Sequence, residues 1–157
     1  NWATKMYNSN TIYMEKPEWS VDDLMRKAER YCATAEHCCH DVRIKLRQWG
    51  ATPQQVEPII VHLCKSQFID EARYCHAFAH DKLLYQGWGR MKIQANLIAK
   101  HLPDTLIDEA LHSIDEQEYA RILEHLIHQR KNDSRERLIR FCMQRGFTYE
   151  EINKHMQ

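Results

Sequence analysis

Val42-Arg43-Ile44-Lys45-Leu46-Arg47-Gln48-Trp49-Gly50 returns in altered form as Ile93-Gln94-Ala95-Asn96-Leu97-Ile98-Ala99-Lys100-His101 and again as Leu138-Ile139-Arg140-Phe141-Cys142-Met143-Gln144-Arg145-Gly146. Offsets of 51 and 96 superpose the three stretches without a gap. They set Val42 on Ile93 and Leu138, Leu46 on Leu97 and Cys142, and Gly50 on His101 and Gly146. Beyond the turn, the same offsets set Val56 on Ile107 and Ile152. Apolar positions four apart mark one buried face of a helix, and self-similarity at a fixed offset marks a repeat architecture. A helix commonly closes with a left-handed residue, which glycine adopts without steric cost. Gly50 and Gly146 suit that position; His101 predicts a turn that differs from the other two.

Working outward, a further helix begins after each turn, near Thr52-Pro53, Pro103-Asp104 and Thr148-Tyr149. Proline is favoured in the first helical turn, where its missing N–H costs nothing. Pro58 lies deeper in such a helix and predicts a kink or a later start. Before each quoted stretch runs another helix, roughly 21–36, 69–85 and 115–131. Their apolar stripes are Leu24, Ala28, Tyr31, Cys32 and Ala35; Ala72, Cys75, Phe78 and Ala79; and Tyr119, Ile122, Leu123 and Leu126. Ser20 followed by Asp22 and Asp23 reads as a capped helix start. The expected fold is all-α: three tandem three-helix bundles, 20–66, 67–114 and 115–157, in an elongated, curved row. Residues 1–19 lack clear periodicity and read as an N-terminal extension, either docked on the body through Trp2, Tyr7, Tyr13 and Trp19 or partly disordered. Units this small gain stability by sharing interfaces.

The composition agrees. Four glycines and four prolines in 157 residues are too few for the turns of a sandwich or barrel, or for a glycine-rich nucleotide loop. Charge is balanced, with 22 Lys plus Arg against 22 Asp plus Glu. Split at 66 and 114, the thirds carry 9 against 8, 5 against 6 and 8 against 8, so none is a basic tail held on nucleic acid by net charge. The six cysteines, with no secretory signal in view, read as reduced thiols in the cytoplasm. The apolar runs are too short to span a bilayer. No Walker A sequence, nucleophile elbow or Cys–His signature points to an enzyme.

Three further stretches carry a resemblance. Phe68-Ile69-Asp70-Glu71-Ala72-Arg73-Tyr74-Cys75, then Gly87-Trp88-Gly89-Arg90-Met91-Lys92-Ile93-Gln94-Ala95-Asn96-Leu97, then Arg145-Gly146-Phe147 before Glu150-Glu151-Ile152, are similar to the RecX family, in that order and spacing. Residues 36–46 resemble the family's first-repeat motif. Ala35 stands where the family usually has Arg, and Cys38 where it has an N-capping Ser. A thiol caps poorly, so that helix start is expected to rely on Cys39, His40 or water. The resemblance covers residues 20–155. It implies a monomeric, cytoplasmic bacterial protein of three-helix repeats that binds the RecA recombinase and its filament on single-stranded DNA. It further implies inhibition of strand exchange, ATP hydrolysis and co-protease function, within DNA repair and the SOS response. The alternatives are a helical-repeat DNA-binding protein, with direct DNA contact, and a protein-interaction scaffold.

Candidate residues follow. The basic positions Arg43, Lys45 and Arg47; Arg90, Lys92 and Lys100; and Arg135, Arg137, Arg140 and Arg145 recur on or beside the three middle helices, and aligned faces would form a discontinuous positive track for the partner. Asp70, Glu71 and Arg73 read foremost as a helix cap with a local ion pair. Gly87 and Gly89 read as a tight inter-helix turn, with Trp88 packed between bundles. His37-Cys38-Cys39-His40 lacks the spacing of a zinc site, His76 and His80 stand at i and i+4 but lack the acid of H-E-x-x-H, and no metal or cofactor is expected.

Overall fold

The computed structural model describes residues 18–156. Trp2, Tyr7 and Tyr13, and most of the expected N-terminal extension, lie outside the described residues. Within the described residues the chain is all-helical, with α1 Val21–Thr34, α2 Cys39–Gln48, α3 Pro53–Lys65, α4 Glu71–Gln86, α5 Arg90–Ala99, α6 Asp104–His112, α7 Glu116–Gln129, α8 Arg135–Gln144 and α9 Tyr149–His155. The helices pack in threes: α1 and α2 on α3, α4 and α5 on α6, and α7, α8 and α9 on one another. Helix α4 also touches α7.

The helix starts follow their caps. Ser20, Asp70, Asp115, Ser134 and Thr148 each accept a hydrogen bond from an N–H in the first turn. The Gln55 carboxamide returns to the Thr52 N–H at 3.0 Å, and the Glu151 carboxylate to the Thr148 N–H at 2.9 Å. Helix α3 begins at Pro53 and runs on through Pro58, which sits on its exposed side. The later start expected from Pro58 does not occur. Proline forfeits one backbone bond there, while Val56, Ile59, Ile60 and Leu63 hold the helix by burial.

All three middle helices close in one way. Ala51 N–H bonds Leu46 C=O at 3.0 Å, Leu102 bonds Leu97 at 3.4 Å, and Phe147 bonds Cys142 at 3.2 Å. The residue before each donor is left-handed: Gly50 at φ 94°, His101 at φ 60° and Gly146 at φ 98°. These are Schellman ends, and the residue past each turn is apolar and buried, as that motif prefers. His101 was expected to turn differently and does not. Burial of Leu102 and two backbone bonds outweigh the ~1–2 kcal/mol that a non-glycine residue pays for a left-handed conformation.

Every residue of the three apolar columns is buried. Leu24, Val42, Leu46, Ile59 and Leu63 belong to one core in the first three helices. A second core runs continuously through α4–α9, from Leu83, Ile93 and Leu97 to Leu123, Cys142 and Ile152. Each such leucine or isoleucine contributes about 1.5–3 kcal/mol by leaving water. The repeats are therefore not equally joined. The second and third share a core, and the first reaches it through Cys38, which is fully buried there.

Candidate partner-binding surface

The middle helices meet end to end. Gly89 N–H, at the start of α5, donates to Arg145 C=O at 2.7 Å, and Met91 N–H donates to Gly146 C=O at 3.1 Å. The open N–H groups of one helix thus meet the open carbonyls at the end of another, and opposite ends of two helix dipoles face each other. A Cβ on Gly89 would lie 2.5 Å from the Gly146 carbonyl, and one on Gly146 would lie 2.4 Å from Lys92 Cβ. Only paired glycines let the backbones touch. Arg90 N–H donates to Tyr119 Oη at 3.0 Å, and that hydroxyl donates to Glu151 at 3.2 Å. Burial pushes the Tyr119 hydroxyl upward in pKa, keeping it a donor. The Arg90 guanidinium stacks 4.1 Å from the Tyr119 ring centre and pairs with Glu116 at 2.6 Å. The Arg145 guanidinium donates to Gln86 C=O.

One repeat earlier, the same columns build a second joint with different chemistry. Cys38 takes the place of Gly89, His101 of Gly146, Lys100 of Arg145 and Tyr74 of Tyr119. With side chains at both glycine positions, side chains carry the contact. Lys100 Nζ lies 2.6 Å from the Asp41 carboxylate, Tyr74 Oη lies 3.5 Å from it, and the His40 and His101 rings are 5.1 Å apart. Burial pulls the Lys100 ammonium down, but the Asp41 and Tyr74 bonds more than offset this and its pKa rises. Arg73 adds an ion pair to Glu36 at 2.9 Å and a bond to Gln67 C=O at 3.0 Å. The start of α2, expected to rely on Cys39, His40 or water, is capped from the next repeat: Cys39 N–H donates to Glu71 at 3.1 Å. Cys38 makes no side-chain cap because its thiol is committed to the core.

The ten cations named from sequence therefore divide. Arg90, Lys100 and Arg145 bind neighbouring repeats. Arg43 pairs with Glu57 at 2.8 Å within the first repeat, and Arg135 bonds Asn153 at 2.6 Å within the third. Among the described residues Arg47, Arg137 and Arg140 are exposed and make no ion pair. Lys45 and Lys92 lie over aromatic rings, at 5.9 Å from Trp49 and 4.5 Å from Trp88. Each repeat in fact carries a ring flanked by two cations: Trp49 by Lys27 and Lys45, Trp88 by Lys82 and Lys92, and Phe141 by Arg130 and Arg145. The spacing of four between Lys45 and Trp49, Trp88 and Lys92, and Phe141 and Arg145 was the sequence signal for this pattern. Exposed Ile44, Met91, Ile98 and Met143 complete the outer faces of the middle helices.

Asp70 caps α4 through Arg73 N–H at 3.0 Å, and Gly87 ends it in a left-handed turn at φ 63°. Trp88 is half-buried against the second core beside Phe78. Tyr74, Tyr119, Glu36, Asp41, Glu116 and Glu151 also build the joints, and no local sequence pattern marks them as joint residues. Their signal was the offset of 45 that links Tyr74 with Tyr119 and Lys100 with Arg145. Among the described residues no three His, Cys, Asp or Glu side chains converge as a metal site, and no helix is long and apolar enough to cross a membrane.

Comparison with known proteins places this geometry. Residues 70–111 match the family model described as RecX, second three-helix domain. Regulatory protein RecX of Clostridium acetobutylicum is 27% identical over 126 residues, covering 73% of this chain but only 58% of that protein's length. Regulatory protein RecX of Pseudomonas fluorescens is 32% identical over 139 residues, covering 82% of this chain and 86% of that protein. The crystal structure of RecX from Lactobacillus salivarius superposes with a TM-score of 0.72 at 19% identity, over 87% of this chain and 94% of that one. With about a third of the aligned residues identical across most of both sequences, and a fold that superposes on a solved RecX structure, the chain belongs to the RecX family of regulatory proteins.

Proposed function

We propose that this chain is a non-enzymatic regulator that binds the RecA recombinase on its single-stranded DNA filament and restrains strand exchange, ATP hydrolysis and co-protease function. The observation that carries the reading is the end-to-end arrangement of α2, α5 and α8 in a chain of this regulatory family. It sets three like helices one after another, with exposed cations Arg47, Arg137 and Arg140 on the first and third, which suits a partner that is itself repetitive. In this reading the units 20–66, 67–114 and 115–157 act as one monomeric body in the bacterial cytoplasm. Arg47, Arg137 and Arg140, with Lys45 and Lys92, meet acidic groups of the partner. Arg90, Lys100 and Arg145 position the repeats and touch the partner only secondarily. A charge reversal at Arg90 would therefore perturb the fold before it tested binding.

The experiment measures ATP hydrolysis by RecA from the same cell on single-stranded DNA, titrated with this protein. The expected result is inhibition by the natural chain. Arg47→Glu with Arg140→Glu should need roughly tenfold more protein, about 1.4 kcal/mol of lost binding, with helical content unchanged. No effect of the natural chain on hydrolysis or strand exchange overturns the proposal. A second reading, direct contact with the DNA strand, is favoured by the cation-flanked rings, because bases stack on aromatic side chains while lysines meet phosphates. It predicts salt-dependent binding to bare single strands that Trp88→Ala weakens.

A further inference from the structure

Cys39 opens α2 and Cys64 sits next to the last residue of α3. Their Sγ atoms lie 3.6 Å apart, close enough that a rotation of either side chain brings them within bonding reach. The two differ in exposure: Cys64 faces solvent, Cys39 is half-buried behind it, and Cys32, Cys38, Cys75 and Cys142 are buried. One thiol therefore meets dissolved reagents and the other waits in contact with it. Burial pushes the Cys39 thiol upward in pKa, and hydrogen bonds with Glu71 and Cys64 add to this. Cys39 thus ionises reluctantly and is unsuited to react first, but its contact with Cys64 places it to react second.

We propose that Cys64 and Cys39 form a reversible oxidation site in which a peroxide oxidises Cys64 and Cys39 closes an intramolecular disulfide. In the first step the Cys64 thiolate attacks one peroxide oxygen. A sulfur–oxygen bond forms, the oxygen–oxygen bond breaks, and the departing hydroxide is protonated to water; Cys64 becomes a sulfenic acid. In the second step Cys39 sulfur attacks Cys64 sulfur. The sulfur–sulfur bond forms, the sulfur–oxygen bond breaks, and the hydroxyl leaves as water with the proton that Cys39 gives up. Glu71, whose carboxylate already holds the Cys39 N–H and hydrogen-bonds its thiol, accepts that proton and passes it on. In total, two thiols and one hydrogen peroxide yield one disulfide and two waters. A thiol reductant reverses the bond by exchange. The site lies at the joint between the first and second repeats, where α2 takes its cap from Glu71, so the redox state of the pair acts on the contact that ties the first repeat to the shared core.

The test treats the full chain with a small excess of hydrogen peroxide, blocks the remaining thiols, and maps tryptic peptides. The expected product has lost two of its six thiols, links residues 31–43 to 48–65 with fragmentation assigning Cys39, and returns to the start with dithiothreitol. Cys39→Ser should stop at a Cys64 sulfenic acid that dimedone traps. Cys64→Ser should lose thiols about tenfold more slowly, since the exposed entry point is gone. Cys32→Ser should leave the linkage unchanged. A bridge from Cys64 to Cys32 or Cys38, a cross-linked dimer as the main product, or buried thiols reacting while Cys64 stays free would each overturn the proposal.

Discussion

Replacing Gly89 with alanine should split the joint between the second and third repeats, although alanine suits the local backbone. Gly89 sits at φ −79°, ψ 168°, an ordinary extended conformation. The cost is steric. The new Cβ would lie 2.5 Å from the Gly146 carbonyl carbon and oxygen and 2.6 Å from the Phe147 nitrogen. Relief requires the two backbones to part by about 1 Å, since carbon contacts settle near 3.5–4.0 Å. That movement takes the Gly89–Arg145 and Met91–Gly146 bonds, now 2.7 Å and 3.1 Å, out of range. Two hydrogen bonds lost at a buried joint cost about 2–4 kcal/mol, from which the stiffer unfolded chain of alanine returns about 0.4–1. The net expectation is a loss of about 1–3 kcal/mol. Gly50→Ala is the internal control. Nothing lies within 4 Å of its Cβ, but its φ of 94° is left-handed, so it should lose about 1 kcal/mol for backbone reasons alone. Urea unfolding followed by circular dichroism ranks the two, and amide hydrogen exchange locates the damage. Met91 N–H should lose protection in Gly89→Ala and keep it in Gly50→Ala. A Gly89→Ala loss below about 0.5 kcal/mol, or a Met91 amide as protected as before, would refute the argument that bare backbone contact makes this joint.

Two further perturbations probe the first joint and the third helix. Lys100 has its pKa raised in the folded chain, so its contribution is whole below the ordinary lysine value near 10.4 and is lost as pH rises past it. Burial pushes the Tyr74 hydroxyl beside it up to about 12, which acts with the same sign. Stability should stay level on this account from neutral pH to about 10 and then fall. Lys100→Met should start about 1 kcal/mol lower at pH 7 and fall less steeply above pH 10 in urea titrations; an unchanged alkaline slope would count against the Asp41 pairing. Pro58→Ala should raise stability by about 1–3 kcal/mol in thermal unfolding, because it restores an N–H in the middle of α3 on an exposed face. A loss there would mean that proline makes a contact worth more than the missing bond.

Much of the architecture was legible along the chain, because burial and helix closure are local in sequence. Val42, Ile93 and Leu138 announce their buried face by spacing, and Gly50 and Gly146 announce the ends. His101 shows the limit of residue-type reasoning. Its side chain argues against a left-handed turn, yet the burial of Leu102 enforces one. Asp70 was readable as a cap for the same local reason. The candidate surface was much less readable. Arg90, Lys100 and Arg145 look like Arg47 and Arg140 in sequence, and each is a cation on or next to a middle helix. Their roles differ because Glu116, Asp41 and the Gln86 carbonyl, far off in the chain, come to meet the first three.

The sequence by itself determined an all-helical chain of three like units, the glycine turns that end the first and third middle helices, and a resemblance to one family through motifs in order. Only the tertiary structure decided that the middle helices join end to end, and that one joint is backbone against backbone while the other is Lys100 against Asp41. Periodicity is a property of neighbours three and four residues apart, which one helix enforces. A joint depends on whether two chain segments about 45–60 residues apart can approach without a Cβ between them, and that distance exists only once the repeats have packed.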